Sequence, residues 1–226
     1  YVKQSRTDGY TVRSTHGKLP LYFYRRFSSA AKHYGVGLVT EPPSNVSRHE
    51  EVTRIFKDAT SGTTEYFDYP PNLLGASDIL ARFGRFMEGH HSLTSVAFFF
   101  PTSDQRLRAG QTNPGRLVAA TEQARDRFDW DIVDERLIRD GALERYRVLI
   151  LVEGDVIEAS VLADMQTWVE NGGLLLAARN VNLQTVEGDD TWNREQLSAP
   201  ADLADSDEVV TTSGTPEPEM RVDVGL

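Results

Sequence analysis

Apolar residues along this chain recur with two alternating periods. Tyr10–Ser14 reads as a short strand. Behind Pro20, Leu21, Tyr24, Phe27, Ala31 and Tyr34 fall at helical spacing, and Gly35 supplies a stop. Val36–Thr40 is then a short apolar strand that breaks off at Glu41-Pro42-Pro43, where the prolines forbid continuation. A second helix is predicted over about His49–Ser61, with Val52, Ile55, Phe56 and Ala59 on its inner face. Thr63–Asp68 is another strand, closed by Tyr69-Pro-Pro-Asn72, and a third helix over about Ser77–Glu88 turns Ile79, Leu80, Phe83 and Phe86 inward. Strand followed by helix, three times over with short connections, predicts parallel strands joined by right-handed crossovers.

The pattern restarts after Gly89-His-His-Ser92. Ser95–Phe100 is a strand, Pro101–Pro114 a long polar loop and Gly115–Phe128 a helix. Asp131–Asp134 is a short strand, Ala142–Tyr146 a helical turn and Tyr146–Val152 a fully buried strand. Ser160–Asn171 is an amphipathic helix with Val161, Leu162, Met165 and Trp168 inward, capped by Gly172-Gly173 and followed by the buried strand Leu174–Ala178. This second series has the order of a doubly wound α/β unit. The domain boundary falls near Gly89–Thr94. The expected organisation is therefore 1–90, then 93–210, then 211–226 as the start of a following segment.

Composition adds limits. The 226 residues suffice for one large domain or two modest ones. No apolar run approaches the roughly 20 residues of a membrane-spanning helix, so no membrane partner is expected. Val181–Leu226 holds eleven Asp/Glu against two Lys/Arg and reads as a solvated, poorly ordered surface connection. The preceding residues are nearly balanced, at 23 acidic to 22 basic. Neither part carries the basic stripe of a nucleic-acid binder. The absence of cysteine excludes disulfides and cysteine nucleophiles. It leaves the compartment open, as does the lone Asn45-Val-Ser47 sequon. A chain that opens on Tyr1 and stops at Val224-Gly-Leu226 reads as a piece of a longer protein.

Candidate chemistry gathers at the strand ends. A carboxylate at the carboxyl end of a barrel strand sits where the active-site loops form, so Glu41 is a candidate nucleophile or base toward a sugar. The plainer alternative is a solvated strand terminus. The next strand end brings Asp68, Tyr69 and Asn72, which offer acceptors, a donor and an aromatic platform for a sugar ring; the alternative is ordinary loop packing. Arg13 and His16 sit at the end of the preceding strand and converge on the same side. His16 has no second ligand at metal-binding spacing, so hydrogen bonding is its expected role, and no metal or other cofactor is expected. His90-His91 reads as a surface pair. The second series lacks a cysteine at its strand-to-helix elbow, and a Gly-x-Gly-x-x-Gly turn is absent after Phe100. Both the amidotransferase and the dinucleotide readings therefore fail as activities.

Three stretches together resemble the carboxyl-terminal part of a family 42 β-galactosidase. Val36-Gly-Leu-Val-Thr-Glu41-Pro42-Pro43-Ser-Asn-Val46 resembles that family's seventh barrel strand, which ends on the nucleophilic Glu. Ile55–Asp68 resembles the helix and eighth strand that close the barrel. Tyr146–Val152 through Trp168-Val-Glu-Asn-Gly-Gly-Leu-Leu-Leu176 resembles the amidotransferase-like trimerisation domain, whose nucleophile is lost. The resemblance covers about residues 10–180.

The resemblance implies an α/β chain: the last strand–helix units of a (β/α)8 barrel, then a doubly wound, class I glutamine amidotransferase-like (flavodoxin-like) domain. It implies hydrolysis of O-glycosidic bonds with retention, Glu41 as nucleophile, a carbohydrate substrate held by Arg13, His16, Asp68, Tyr69 and Asn72, and a homo-oligomer formed through the second domain. The family's acid/base Glu belongs to the fourth strand, outside this sequence, and its zinc-binding cysteines are missing here. On this reading the 226 residues alone hydrolyse nothing. The competing expectation is a non-catalytic oligomerisation or carbohydrate-binding module with a degenerate barrel remnant.

Overall fold

A computed structural model describes residues 21–40, 46–63, 65–66, 69–86, 93–108, 115–178, 181–188 and 191–192. They form two compact units that part between Leu93 and Thr94. The predicted strand Tyr10–Ser14 and the His90-His91 pair lie outside the described residues.

The first unit runs α1 (Leu21–Tyr34), β1 (Val39–Thr40), α2 (Arg48–Thr60), β2 (Glu65–Tyr66) and α3 (Pro70–Phe83), with a 3₁₀ turn over Gly84–Phe86. β1 and β2 pair in parallel. Strand and helix alternate as the sequence predicts. β1 is shorter than the predicted Val36–Thr40, with Val36 and Gly37 exposed ahead of it, and three further details differ.

First, α1 buries Arg25, Ser28 and Ser29 beside Tyr22, Tyr24 and Ala31, whereas Tyr34, the last of the residues at helical spacing, is exposed. Arg25 is held inside by donating from Nη2 to the Thr60 carbonyl, 2.8 Å away at the end of α2. A cation suits the negative end of a helix dipole. Ser28 comes so close to the turn after α2 that a Cβ on Gly62 would lie 3.1 Å from its own Cβ. Gly62 also has φ +89°, a conformation that side chains resist.

Second, α2 turns charges inward. Glu51, Arg54 and Asp58 are buried with Ile55, while Phe56, predicted to be buried, is exposed. Arg54 lies 3.2 Å from both Glu51 Oε1 and Asp58 Oδ2. Glu51, Arg54 and Asp58 stand three and four residues apart, so one helix face presents all of them together. The start of α2 is fixed locally by a capping box between Ser47 and Glu50.

Third, α3 starts at Pro70, seven residues before the predicted Ser77. Pro-Pro read as a breaker, yet the first helical positions need no N–H, so both prolines fit there. α3 buries Asn72 and Ala76, whereas Phe86 is exposed. α3 is joined to α2 by an edge-on Phe56–Phe83 contact with ring centroids 5.5 Å apart, and by the Arg48–Asp78 ion pair at 2.7 Å.

The second unit contains β3 (Val96–Phe100), α4 (Thr102–Leu107), α5 (Gly115–Ala124), β4 (Asp131–Asp134), α6 (Glu135–Arg139), β5 (Val148–Leu151), β6 (Val156–Ile157), α7 (Ala159–Glu170), β7 (Leu174–Ala177), β8 (Leu183–Thr185) and β9 (Thr191–Trp192). β3, β4, β5 and β7 make a parallel sheet in the order β4-β3-β5-β7. The chain adds β4 on one side of β3 and then β5 and β7 on the other, which is the strand order of a doubly wound sheet. Continuous burial of Ala97–Phe100, Asp131–Asp134 and Leu149–Leu151 is what a parallel sheet covered on both faces requires. Trp130 is fully buried and meets Phe98 edge-on at 5.7 Å. β6, β8 and β9 form a separate small sheet.

Several expectations for this unit are corrected. The segment read as a polar loop after Phe100 holds α4, and α6, β6, β8 and β9 were not foreseen. α5 stops at Ala124 rather than Phe128. α7 buries Val169, leaving Trp168 half-buried, and β7, at the sheet edge, is half-buried rather than buried. Val181, Leu183 and Thr185 are buried, so the acidic segment begins as packed structure, not as a solvated connection.

Candidate active site

The register Val39↔Glu65 and Thr40↔Tyr66 brings the carboxyl ends of β1 and β2 level. Glu41 is the next residue in sequence after Thr40, and Asp68 is two beyond Tyr66. Glu41, Asp68, Arg13 and His16 lie outside the described residues. Tyr69 and Asn72 are described. Tyr69 is half-buried at the N-cap of α3, with φ −83° and ψ 141°. Asn72, one turn further on, is buried, and its Oδ1 accepts a hydrogen bond from the Val46 amide at 3.2 Å. Val46, just ahead of α2, is therefore fastened to the first turn of the helix after β2.

That bond makes a prediction. Asn72→Ala leaves the Val46 N–H without its acceptor and opens a small polar hole. It is expected to cost about 1–3 kcal/mol. It should also speed amide exchange at Val46 and Ser47 more than in α3. Unchanged exchange at those amides would show that the bond does not hold the segment.

The strand-end signal that singled out Glu41 also applies to the second unit, where the sequence reading passed over three carboxylates. Asp104, Glu135 and Glu153 each follow the carboxyl end of a parallel strand. Glu135 is buried beneath the first turn of α4, where its Oε1 accepts from the Ser103 amide at 2.7 Å and its Oε2 from Ser103 Oγ at 2.6 Å. It also takes the Glu158 amide ahead of α7 at 3.4 Å. Asp104 Oδ1 accepts from the Asp155 amide at 3.3 Å and pairs with Arg108 at 3.1 Å. These two carboxylates fasten loops to one another.

Glu153 differs. Burial pushes its carboxyl above the ordinary range, while the amides of Leu117 and Arg116, at the start of α5, and the Arg116 charge pull it back. A raised folded-state value means the protonated form is the one folding favours. The stabilisation is complete below the unfolded carboxyl value and is lost as pH rises through the folded one. Glu153→Gln, which keeps the shape without the charge, is expected to match the parent chain in acid and exceed its stability toward neutral pH. Urea midpoints followed across that range check this; two parallel curves would contradict it. Among the described residues no three His, Cys, Asp or Glu side chains group as a metal ion would require.

The α/β architecture, with parallel strands and covering helices, is that of a fold found in glycoside hydrolases. In particular, it matches the GH42 beta-galactosidase Gan42B at TM-score 0.56 and 12% identity, over 78% of this chain and 32% of that one. It matches a catalytic mutant of Gan42B from G. stearothermophilus at 0.55 and 13%, with the same coverage. It also matches alpha-L-fucosidase isoenzyme 2 from Paenibacillus thiaminolyticus at 0.52 and 16%, over 76% of this chain and 28% of that one. The chain thus spans about a third of the length of these enzymes. No protein-family model and no curated protein sequence matches it.

Proposed function

We propose that this chain is the carboxyl-terminal part of a retaining β-glycosidase of the family 42 β-galactosidase type. What carries the reading is the pair of parallel strands with level carboxyl ends, β1 and β2, directly ahead of Glu41 and Asp68, in a chain whose fold is glycoside hydrolase-like. Glu41 attacks the anomeric carbon as the glycosidic C–O bond breaks, and a second carboxylic acid, outside this chain, protonates the departing oxygen. That second group then deprotonates the water that releases the sugar from Glu41. Retention requires the two carboxyls to stand about 5–5.5 Å apart.

Arg13, His16, Asp68 and Tyr69 hold sugar hydroxyls or orient Glu41. Asn72 acts as a positioning residue through its bond to Val46, which steadies the segment that carries Glu41. The second unit serves self-association.

The experiment is turnover of an aryl β-galactoside by the longer polypeptide that includes this sequence, with and without Glu41→Gln. The 226-residue chain by itself is the control and is expected to be inactive. Turnover by that chain would place the whole catalytic pair within it and refute the division proposed here.

A further inference from the structure

The second unit has an open cavity of about 580 Å³ at the amino-terminal end of its parallel sheet. Tyr146 and Arg147 enter its lining just ahead of β5, Gly172 and Gly173 just ahead of β7, and Asp164, Thr167 and Trp168 come from α7. This is the end opposite the Asp104–Glu135–Glu153 carboxylates, and the glycosidase reading makes no use of it.

Trp168 is the built element of this cavity. Its indole rests against the backbone at Gly173 so closely that a Cβ there would come within 2.3 Å of ring atoms Cδ2 and Cε2. Only glycine lets the ring settle there. Gly172, before it, has φ +98°, so the helix ends in a turn that glycine also favours. One side of the ring is thereby occupied by the chain, and the half-buried indole lines the cavity.

Around it stand Glu144, Arg147, Asp164 and Asn171, all exposed. None of these four side chains has a hydrogen-bond or ion-pair partner among the described residues. The walls, by contrast, are committed. Tyr146 donates its hydroxyl hydrogen to Asp131 Oδ2 at 3.0 Å, and Arg139 pairs with Glu158.

We propose that this cavity is a binding subsite for a neutral saccharide, with the Trp168 indole as the platform for one sugar ring. A sugar ring has an apolar C–H face and a rim of hydroxyls that both donate and accept. The cavity offers the complement: an aromatic surface, two carboxylate acceptors, one guanidinium donor and an amide that does both. Arg139 is neutralised by Glu158, so Glu144 and Asp164 stand against Arg147 alone, a slight acidic excess that counts against an anionic ligand. A flat apolar ligand would strip water from four polar groups and return no hydrogen bonds, which counts against it. The volume lies within the range of small-molecule sites.

The test is titration of the 226-residue chain with β-1,4-galactobiose and with cellobiose, by calorimetry and by tryptophan fluorescence. Saturable binding of at least one disaccharide is expected, weakened about tenfold or more by Trp168→Ala. Asp164→Ala, an exposed change that spares the fold, is expected to weaken it as well. Gly173→Ala should act like Trp168→Ala by pushing the ring away. The proposal is overturned if neither disaccharide binds, or if binding survives Trp168→Ala and Asp164→Ala undiminished. A fluorescence change that follows protein concentration and ignores sugar would assign the cavity to a second copy of the chain, and would overturn it too. Binding here involves no turnover and no residue of the first unit, so its failure leaves the Glu41 reading untouched, and the reverse holds.

Discussion

Arg54→Ala is expected to destabilise the first unit by about 3–5 kcal/mol, the cost of breaking a buried ion pair by removing one partner. Arg54 stands between Glu51 and Asp58 on one face of α2, 3.2 Å from each, and both carboxylates are about 1% exposed. Without the guanidinium, two carboxyls share a buried face with the cation between them gone. Against a typical domain stability of about 5–15 kcal/mol this is a large fraction.

Replacing Glu51, Arg54 and Asp58 together by apolar residues of similar volume is expected to recover most of the loss, because the burden lies in uncompensated charge rather than in missing contacts. Trp130, Trp168 and Trp192 all lie in the second unit. Hydrogen exchange in α1 and α2, not tryptophan fluorescence, is therefore the readout. A loss below about 1 kcal/mol, the size of an exposed pair, would show that the cluster is solvated after all.

The second large effect concerns chemistry. In the longer polypeptide, Glu41→Gln should lower turnover of an aryl β-galactoside by at least about three orders of magnitude, the scale on which removing a nucleophile acts. The amide fills the same space but cannot form the glycosyl ester. The loss should fall mainly on kcat, with the fold and the substrate contacts intact. A modest loss confined to KM would make Glu41 a binding group.

How much of this was legible follows from what each residue does. Val96–Phe100 and Val148–Leu151 could be read directly, because strands covered on both faces are apolar without interruption. β6 and β8 could not, since strands of two and three residues give no period to detect. The inner face of α2 was misread because hydrophobicity is scored one residue at a time. Arg54 is admissible inside only because Glu51 and Asp58 flank it, and that is a property of the set. Pro70 and Pro71 are breakers by residue type but open α3, because the first helical turn needs no N–H from them.

The site divides in the same way. Glu41 stood out because a carboxylate ends an apolar strand ahead of two prolines. Asn72 read as a sugar contact from its loop-like setting, and its bond to Val46 emerged only with the fold. Asp104, Glu135 and Glu153 carried the same strand-end signal as Glu41. Geometry separates them: Glu135 accepts from Ser103 and the Glu158 amide, Asp104 from the Asp155 amide and Arg108, while burial pushes the Glu153 carboxyl up.

We propose Glu41 as the nucleophile of a retaining glycosidase whose acid/base partner lies outside this chain. The most direct measurement is to treat the longer polypeptide with a 2-fluoro-galactoside that halts the reaction at the covalent stage, and to map the labelled peptide by mass spectrometry. A single fluorosugar ester on Glu41, absent from Glu41→Gln, is expected. A label on another carboxylate, or active enzyme that takes up none, would contradict it.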